Sequence, residues 1–116
     1  EGGEFIRQAM DEAGCSVAGV VVSQSRPTSR KTRILAGVQH SGRGQQQVLR
    51  LDMEERRPTD GIEQAALIGA IGNALEEAPD AVLISDYEKG LLGEEILKLL
   101  IESARSRSIP VLVDPC

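Results

Sequence analysis

The sequence predicts an α/β fold built around one parallel βαβ unit. Two apolar runs carry this reading. Ala81-Val82-Leu83-Ile84 breaks into the polar turn Ser85-Asp86-Tyr87-Glu88-Lys89-Gly90, and Ile109-Pro110-Val111-Leu112-Val113 repeats the pattern before Asp114-Pro115. Between them the apolar residues recur at helical spacing, and strand, helix, strand over such a span implies parallel pairing. Length bounds the answer, since 116 residues suffice for one small domain with a modest core.

Residues 4–13 read as a short helix, with Phe5, Ala9 and Met10 on one face and Gly14 as its stop. Residues 17–23 read as a strand, because the three valines Val20, Val21 and Val22 suit burial on both faces. Arg26-Pro27-Thr28 marks a turn, since proline lacks a donor and restricts its neighbour. Two extended runs follow, at 29–38 and 45–53, joined by the Gly-rich segment Gln39-His40-Ser41-Gly42-Arg43-Gly44. In the first run Lys31, Arg33 and Leu35 share one face and Arg30, Thr32 and Ile34 the other. In the second, Gln47, Leu49 and Leu51 alternate with Gln46, Val48 and Arg50. Both faces of this hairpin are then half polar, and it is expected to project as a flap.

Asp60 opens the next helix, with Glu63 at capping-box spacing. Ile62, Ala65, Ala66, Gly69, Ala70 and Ala74 form a small-residue face that a sheet can approach, and Pro79 closes the helix. The last helix is expected over 93–107, with Ile96, Leu99, Leu100 and Ser103 at helical spacing. Glu94 and Glu95 at its start and Arg105 and Arg107 at its end complement the dipole. The whole is expected to be a single partial domain over 1–116. It divides into a helix and strand (1–25), a basic hairpin (26–57), and a helix-strand-helix-strand core (58–116).

A hydrophobic share of 41% excludes general disorder, and with one Phe, one Tyr and no Trp the core must be aliphatic. No apolar run approaches the ~20 residues needed to span a bilayer, so no membrane role is expected. The two cysteines, Cys15 and Cys116, lack metal-type spacing and suit a reduced, cytoplasmic setting. Cys15, after a helix stop, reads as a small packing residue. The net charge of −5 conceals a basic segment: Arg26, Arg30, Lys31, Arg33, Arg43, Arg50, Arg56 and Arg57 against Asp52, Glu54 and Glu55. Such a segment faces an anionic ligand or an acidic partner, or is simply a solvated hairpin. Nucleic acid is disfavoured, because the chain is acidic overall and lacks stacking aromatics.

Ligands of parallel sheets bind outside the carboxyl ends of the strands, where Asp86, Lys89 and Asp114 are expected. Asp86 suits sugar hydroxyls, Lys89 a phosphate or sugar oxygen, and Gly90 close backbone approach. Equally, Asp, Tyr and Gly shape a turn with Lys89 in solvent. Asp114 suits a metal-bound water or a nucleotide group, or alternatively the cap of a following helix. His40 stands alone in its loop, which argues against metal ligation and acid–base catalysis. No phosphate loop, dinucleotide fingerprint or nucleophile elbow occurs.

Four pieces of the chain, in order, resemble one family: Arg26-Pro-Thr-Ser-Arg-Lys-Thr-Arg-Ile-Leu-Ala-Gly37, Gln45-Gln-Gln-Val-Leu-Arg-Leu-Asp52, Leu83-Ile-Ser-Asp-Tyr-Glu-Lys-Gly90 and Ile109-Pro-Val-Leu-Val-Asp-Pro115. These are similar to the ribokinase-like, or PfkB, carbohydrate kinases, nearest the branch acting on D-glycero-β-D-manno-heptose 7-phosphate. The resemblance implies a three-layer α/β fold whose hairpin is a lid over the sugar and contributes to a homodimer. It also implies ATP and Mg²⁺ in the full-length parent, with phosphoryl transfer to a hydroxyl of a sugar or sugar phosphate. Asp86, Lys89 and Gly90 then line the sugar, Lys31, Arg33 and Gln46 belong to the lid, and Asp114 approaches the nucleotide.

The chain departs from the family's pattern in four places. The family's Gly-Ala-Gly-Asp catalytic loop and its paired-glycine sugar segment do not occur, Cys116 follows Asp-Pro where the branch has Lys, and the loop at 38–44 is longer. A central portion of such a kinase is therefore expected, without catalysis or tight cofactor binding of its own. The alternative is a non-catalytic oligomerising or binding module derived from the kinase fold.

Overall fold

The computed structural model describes residues 2–37 and 44–114. His40, the 38–43 part of the hairpin loop, Pro115 and Cys116 lie outside the described residues. Seven elements follow in order: α1 (Gly2–Glu12), β1 (Arg30–Gly37), β2 (Gln45–Met53), α2 (Gly61–Glu76), β3 (Val82–Ser85), α3 (Glu94–Ser106) and β4 (Val111–Asp114). Strands β3 and β4 pair in parallel, from Val82 opposite Val111 to Ser85 opposite Asp114, with α3 as the crossover. The βαβ unit expected from the two apolar runs is present.

Helices α2 and α3 cover one face of this small sheet. Ile84 of β3 is buried while its neighbour Leu83 is 69% exposed, the alternation that one covered face produces. The core comprises Leu75 from α2, Ile84, Ile96, Leu100 and Ala104 from α3, and Ile109. Ile96, Leu100 and Ala104 recur every fourth residue and so line one side of α3. The α2 face differs from expectation. Ile62 is 84% exposed and Ala65, Ala66, Gly69 and Ala74 also face outward, while Ile68, Ile71 and Leu75 turn toward the core. Bulkier aliphatics at the same helical spacing remove more apolar area from water than alanine does, and that decides which stripe goes in.

The α2 start is as expected. The Asp60 carboxylate accepts from the Glu63 amide at 2.8 Å and the Glu63 carboxylate accepts from the Asp60 amide at 3.0 Å, closing the capping box. Helix α1 ends on a reversed turn, the Cys15 amide donating to the Met10 carbonyl at 2.9 Å and Gly14 taking φ 73°. None of its residues is buried, and Phe5 is 74% exposed, so its apolar face is not part of the core. Cys15 is exposed too and fills no packing position.

Two further expectations fail. Residues 17–23 form no strand: a turn from the Val17 carbonyl to the Val20 amide interrupts them, and among the described residues β3 and β4 have no third neighbour to supply a ladder. A run of valines favours extended backbone, but a strand also needs a partner. The hairpin faces are also not equally mixed. In the antiparallel register Thr32 lies opposite Leu51 and Ile34 opposite Leu49, while Lys31 lies opposite Asp52 and Arg33 opposite Arg50. Directly opposed residues share a face, so Ile34, Leu49, Leu51 and Met53 gather on one side with Arg30 at its end, opposite Met53, while Lys31, Arg33, Arg50 and Asp52 lie on the other. Val48 is the unpaired residue of a bulge between the Ile34 and Leu35 pairings. Every residue of β1 and β2 is exposed, and the molecule measures 62 × 30 × 26 Å, as a projecting hairpin requires.

Candidate functional site

The carboxyl edge of the β3–β4 sheet gathers most of the expected residues. Ser85 ends β3 and its hydroxyl lies 3.2 Å from the Asp114 carboxylate that ends β4. Asp86 follows directly and folds the loop back, its carboxylate accepting from the Glu88 amide at 3.1 Å. Asp86 thus shapes its turn while staying only half-buried. Gly90 sits at φ 75°, and a Cβ there would run into the Arg57 carbonyl. The loop comes this close because the Gly90 carbonyl accepts from the Thr59 amide at 3.0 Å.

Lys89 is not a solvated cation. Its ammonium lies 2.7 Å from Oε2 of Glu54, an oxygen shut off from solvent. That ammonium, then the Arg56 guanidinium at 3.1 Å, holds Glu54 down to a pKa of about 2 against the opposing effect of burial. Arg26 completes the junction. It donates to the carbonyls of Arg57 at 2.7 Å, Lys89 at 2.5 Å and Glu55 at 3.4 Å. Arg57 in turn donates to the carbonyl and hydroxyl of Ser25, both at 2.8 Å. Ser23 and Ser25 donate to the Glu63 carboxylate, and the Ser23 hydroxyl is the leading cause of that group's lowered pKa.

Sequence reasoning missed Arg26, Glu54 and the two serines. Apart from Arg56 beside Glu54, the partners that tie them to the site are 29 to 63 residues away in the chain, and no local spacing reports such a meeting. Only Glu63 carried a signal, through the capping box.

The residues expected in a lid, Lys31, Arg33 and Gln46, belong to the hairpin strands. Lys31 and Arg33 lie on the charged face of the hairpin, and no hydrogen bond or ion pair among the described residues joins them to residues 85–90. Gln46 lies opposite Ala36, on the other face from Lys31 and Arg33. The bulge causes this, because the extra residue makes Gln47, opposite Leu35, the one that shares their side.

Among the described residues no group of three or more His, Cys, Asp or Glu converges as a metal site. Asp114 offers one exposed carboxylate, already engaged by Ser85, so these residues alone do not fit a Mg²⁺ ion and no step is assigned through one. No described helix is long and apolar enough to cross a membrane.

A parallel strand pair ending in Ser85 and Asp114, with Asp86 just beyond and a projecting hairpin beside it, defines a small α/β protein. The chain is related to one stretch of the bifunctional proteins HldE. It is 41% identical over 102 residues to that of Azorhizobium caulinodans, covering 88% of the chain and 20% of the relative. It is 42% identical over 112 residues to that of Methylobacillus flagellatus and 38% over 113 to that of Syntrophotalea carbinolica, each covering 97% of the chain. The chain spans about a fifth of these relatives' length. No family model matches the chain. No solved structure matches it either.

Proposed function

We propose that this chain is part of an ATP-dependent sugar-phosphate kinase of the ribokinase-like class, with a heptose phosphate as acceptor. The observation that carries the reading is the parallel pairing that sets Ser85 opposite Asp114 and Asp86 just beyond. Phosphoryl transfer depends chiefly on holding acceptor and nucleotide in line and balancing charge. In this reading the Asp86 carboxylate accepts from sugar hydroxyls, and the bare backbone at Gly90 lets the sugar approach. Lys31 and Arg33 close over the acceptor from the hairpin with Gln46 on its rim, and Asp114 borders the nucleotide. ATP and Mg²⁺ belong to the whole enzyme, which works in the cytoplasm. They supply the transferred group and its charge neutralisation, and the chain alone is inactive.

The similarity to HldE over nearly the whole chain supports this reading. The test is ADP release by the longer protein that contains this segment, supplied with ATP and a panel of sugars and sugar phosphates. Turnover of a heptose phosphate is expected, and no turnover with any acceptor refutes the reading.

A second reading is favoured by the hairpin's apolar face. Ile34, Leu49, Leu51 and Met53 are each between 46% and 54% exposed. Such a contiguous strip suits a second copy, making the hairpin a homodimer interface or the chain a non-catalytic oligomerising module. Sedimentation of the chain and of Leu51→Lys tests this face: a dimer that the substitution dissociates supports the interface, and a monomer in both refutes it.

A further inference from the structure

We infer that Arg26 and Glu54 are positioning residues that lock the 86–90 loop to the stem of the hairpin, with Lys89 as a strut between them. Its consequence for catalysis rests on the kinase reading. The geometry does not. Arg26 spends its two terminal nitrogens on carbonyls from both partners, Glu55 and Arg57 on the stem side and Lys89 in the loop. Buried carbonyls need donors, and one planar fork supplies them to two segments at once. The Lys89 ammonium is matched at 2.7 Å by a carboxylate oxygen removed from solvent, so the pair brings little net charge to an anionic ligand. The Thr59 amide bonded to the Gly90 carbonyl and the contact of Gly90 with the Arg57 backbone complete the seam.

Glu54 directly follows β2, which ends at Met53. A tilt of the hairpin therefore pulls on Glu54, through it on Lys89, and so on the loop that starts with Asp86. The posture of the lid and the shape of the acceptor loop are one event. Lys89 acts in it through Glu54, and not by touching the acceptor.

The Thr59 amide is a built-in reporter of this seam. Its hydrogen exchange is measured by NMR in the 116-residue chain and in Glu54→Gln, Lys89→Met, the double variant and Arg26→Lys, which keeps the charge and loses the fork. Each single substitution is expected to speed Thr59 exchange about tenfold or more, with the double no faster than the faster single, the signature of one coupled unit. The amides of Leu100 and Ala104 should keep their rates. An unchanged Thr59 rate, or effects that multiply independently, overturns the inference. In the longer kinase, Glu54→Gln and Lys89→Met should raise the acceptor KM by a similar factor and leave the nucleotide KM alone. A rise for Lys89→Met with none for Glu54→Gln would make Lys89 an acceptor ligand and also overturn it. Absence of kinase activity in the unmodified protein counts against the functional reading alone, and Thr59 exchange still decides the positioning role.

Discussion

Replacing Gly90 with alanine tests the seam between the loop and the stem, and Gly69 is its natural counterpart. Gly90 holds φ 75°, which costs an L-residue roughly 1–2 kcal/mol. The new methyl also meets the Arg57 carbonyl, which is backbone and cannot rotate away. Overpacking of that kind adds roughly 1–3 kcal/mol, so Gly90→Ala should destabilise the chain by about 2–5 kcal/mol. Gly69 lies inside α2, where a Cβ meets nothing within 4 Å. There alanine lowers the backbone entropy lost on folding, and Gly69→Ala should stabilise by about 0.5–1 kcal/mol. Urea unfolding followed by circular dichroism reads both, with the slope unchanged and the midpoints moving in opposite directions. A Gly90→Ala midpoint within error of the unmodified chain would refute the close approach and, with it, the seam.

Acid should weaken the fold. Glu54 is held at a pKa of about 2 by Lys89 and Arg56, and Glu55 and Glu63 are also lowered, chiefly by the Arg57 amide and the Ser23 hydroxyl respectively. A carboxylate with a folded pKa below its ordinary value of 4.5 contributes fully above that value and loses its contribution as pH falls toward 2. Urea midpoints at pH 7 and 5 should lie close together and the midpoint at pH 3 clearly below both, and a rise on acidification contradicts the pairing. Ile96→Ala opens a cavity at a side chain only 1% exposed and should cost roughly 2–5 kcal/mol in the same titration. Asp60→Ala removes half of the capping box and should cost about 1 kcal/mol, with loss of helical signal from the first turn of α2.

The parts of this fold legible in the sequence are those fixed by local chemistry. The βαβ order followed from two apolar runs that each end in an acid. The α2 boundary followed from Asp60 and Glu63, and the turn after α1 from Gly14. What the sequence concealed depends on which surface an element meets. The valines at 20–22 promised a strand, yet no ladder partner is present among the described residues, and α2 turned Ile68, Ile71 and Leu75 inward in preference to its alanines. The bulge at Val48 shifted Gln46 to the face away from Lys31 and Arg33, an outcome that alternation counted along a single strand cannot foresee. At the site, Asp86, Lys89, Gly90 and Asp114 were visible as polar residues after apolar runs. Arg26 and Glu54 were not, because their roles arise only when three distant segments meet.

The interruption at Val48 has a consequence for the company the hairpin keeps. Both of its outer rims carry unpaired amides and carbonyls, the feature that lets foreign strands add on and grow into fibres. An extra residue bends the ribbon and breaks the rhythm of those donors and acceptors, so an incoming strand finds no long, straight rim to copy. Sideways growth of the hairpin from strand to strand is therefore discouraged at this point.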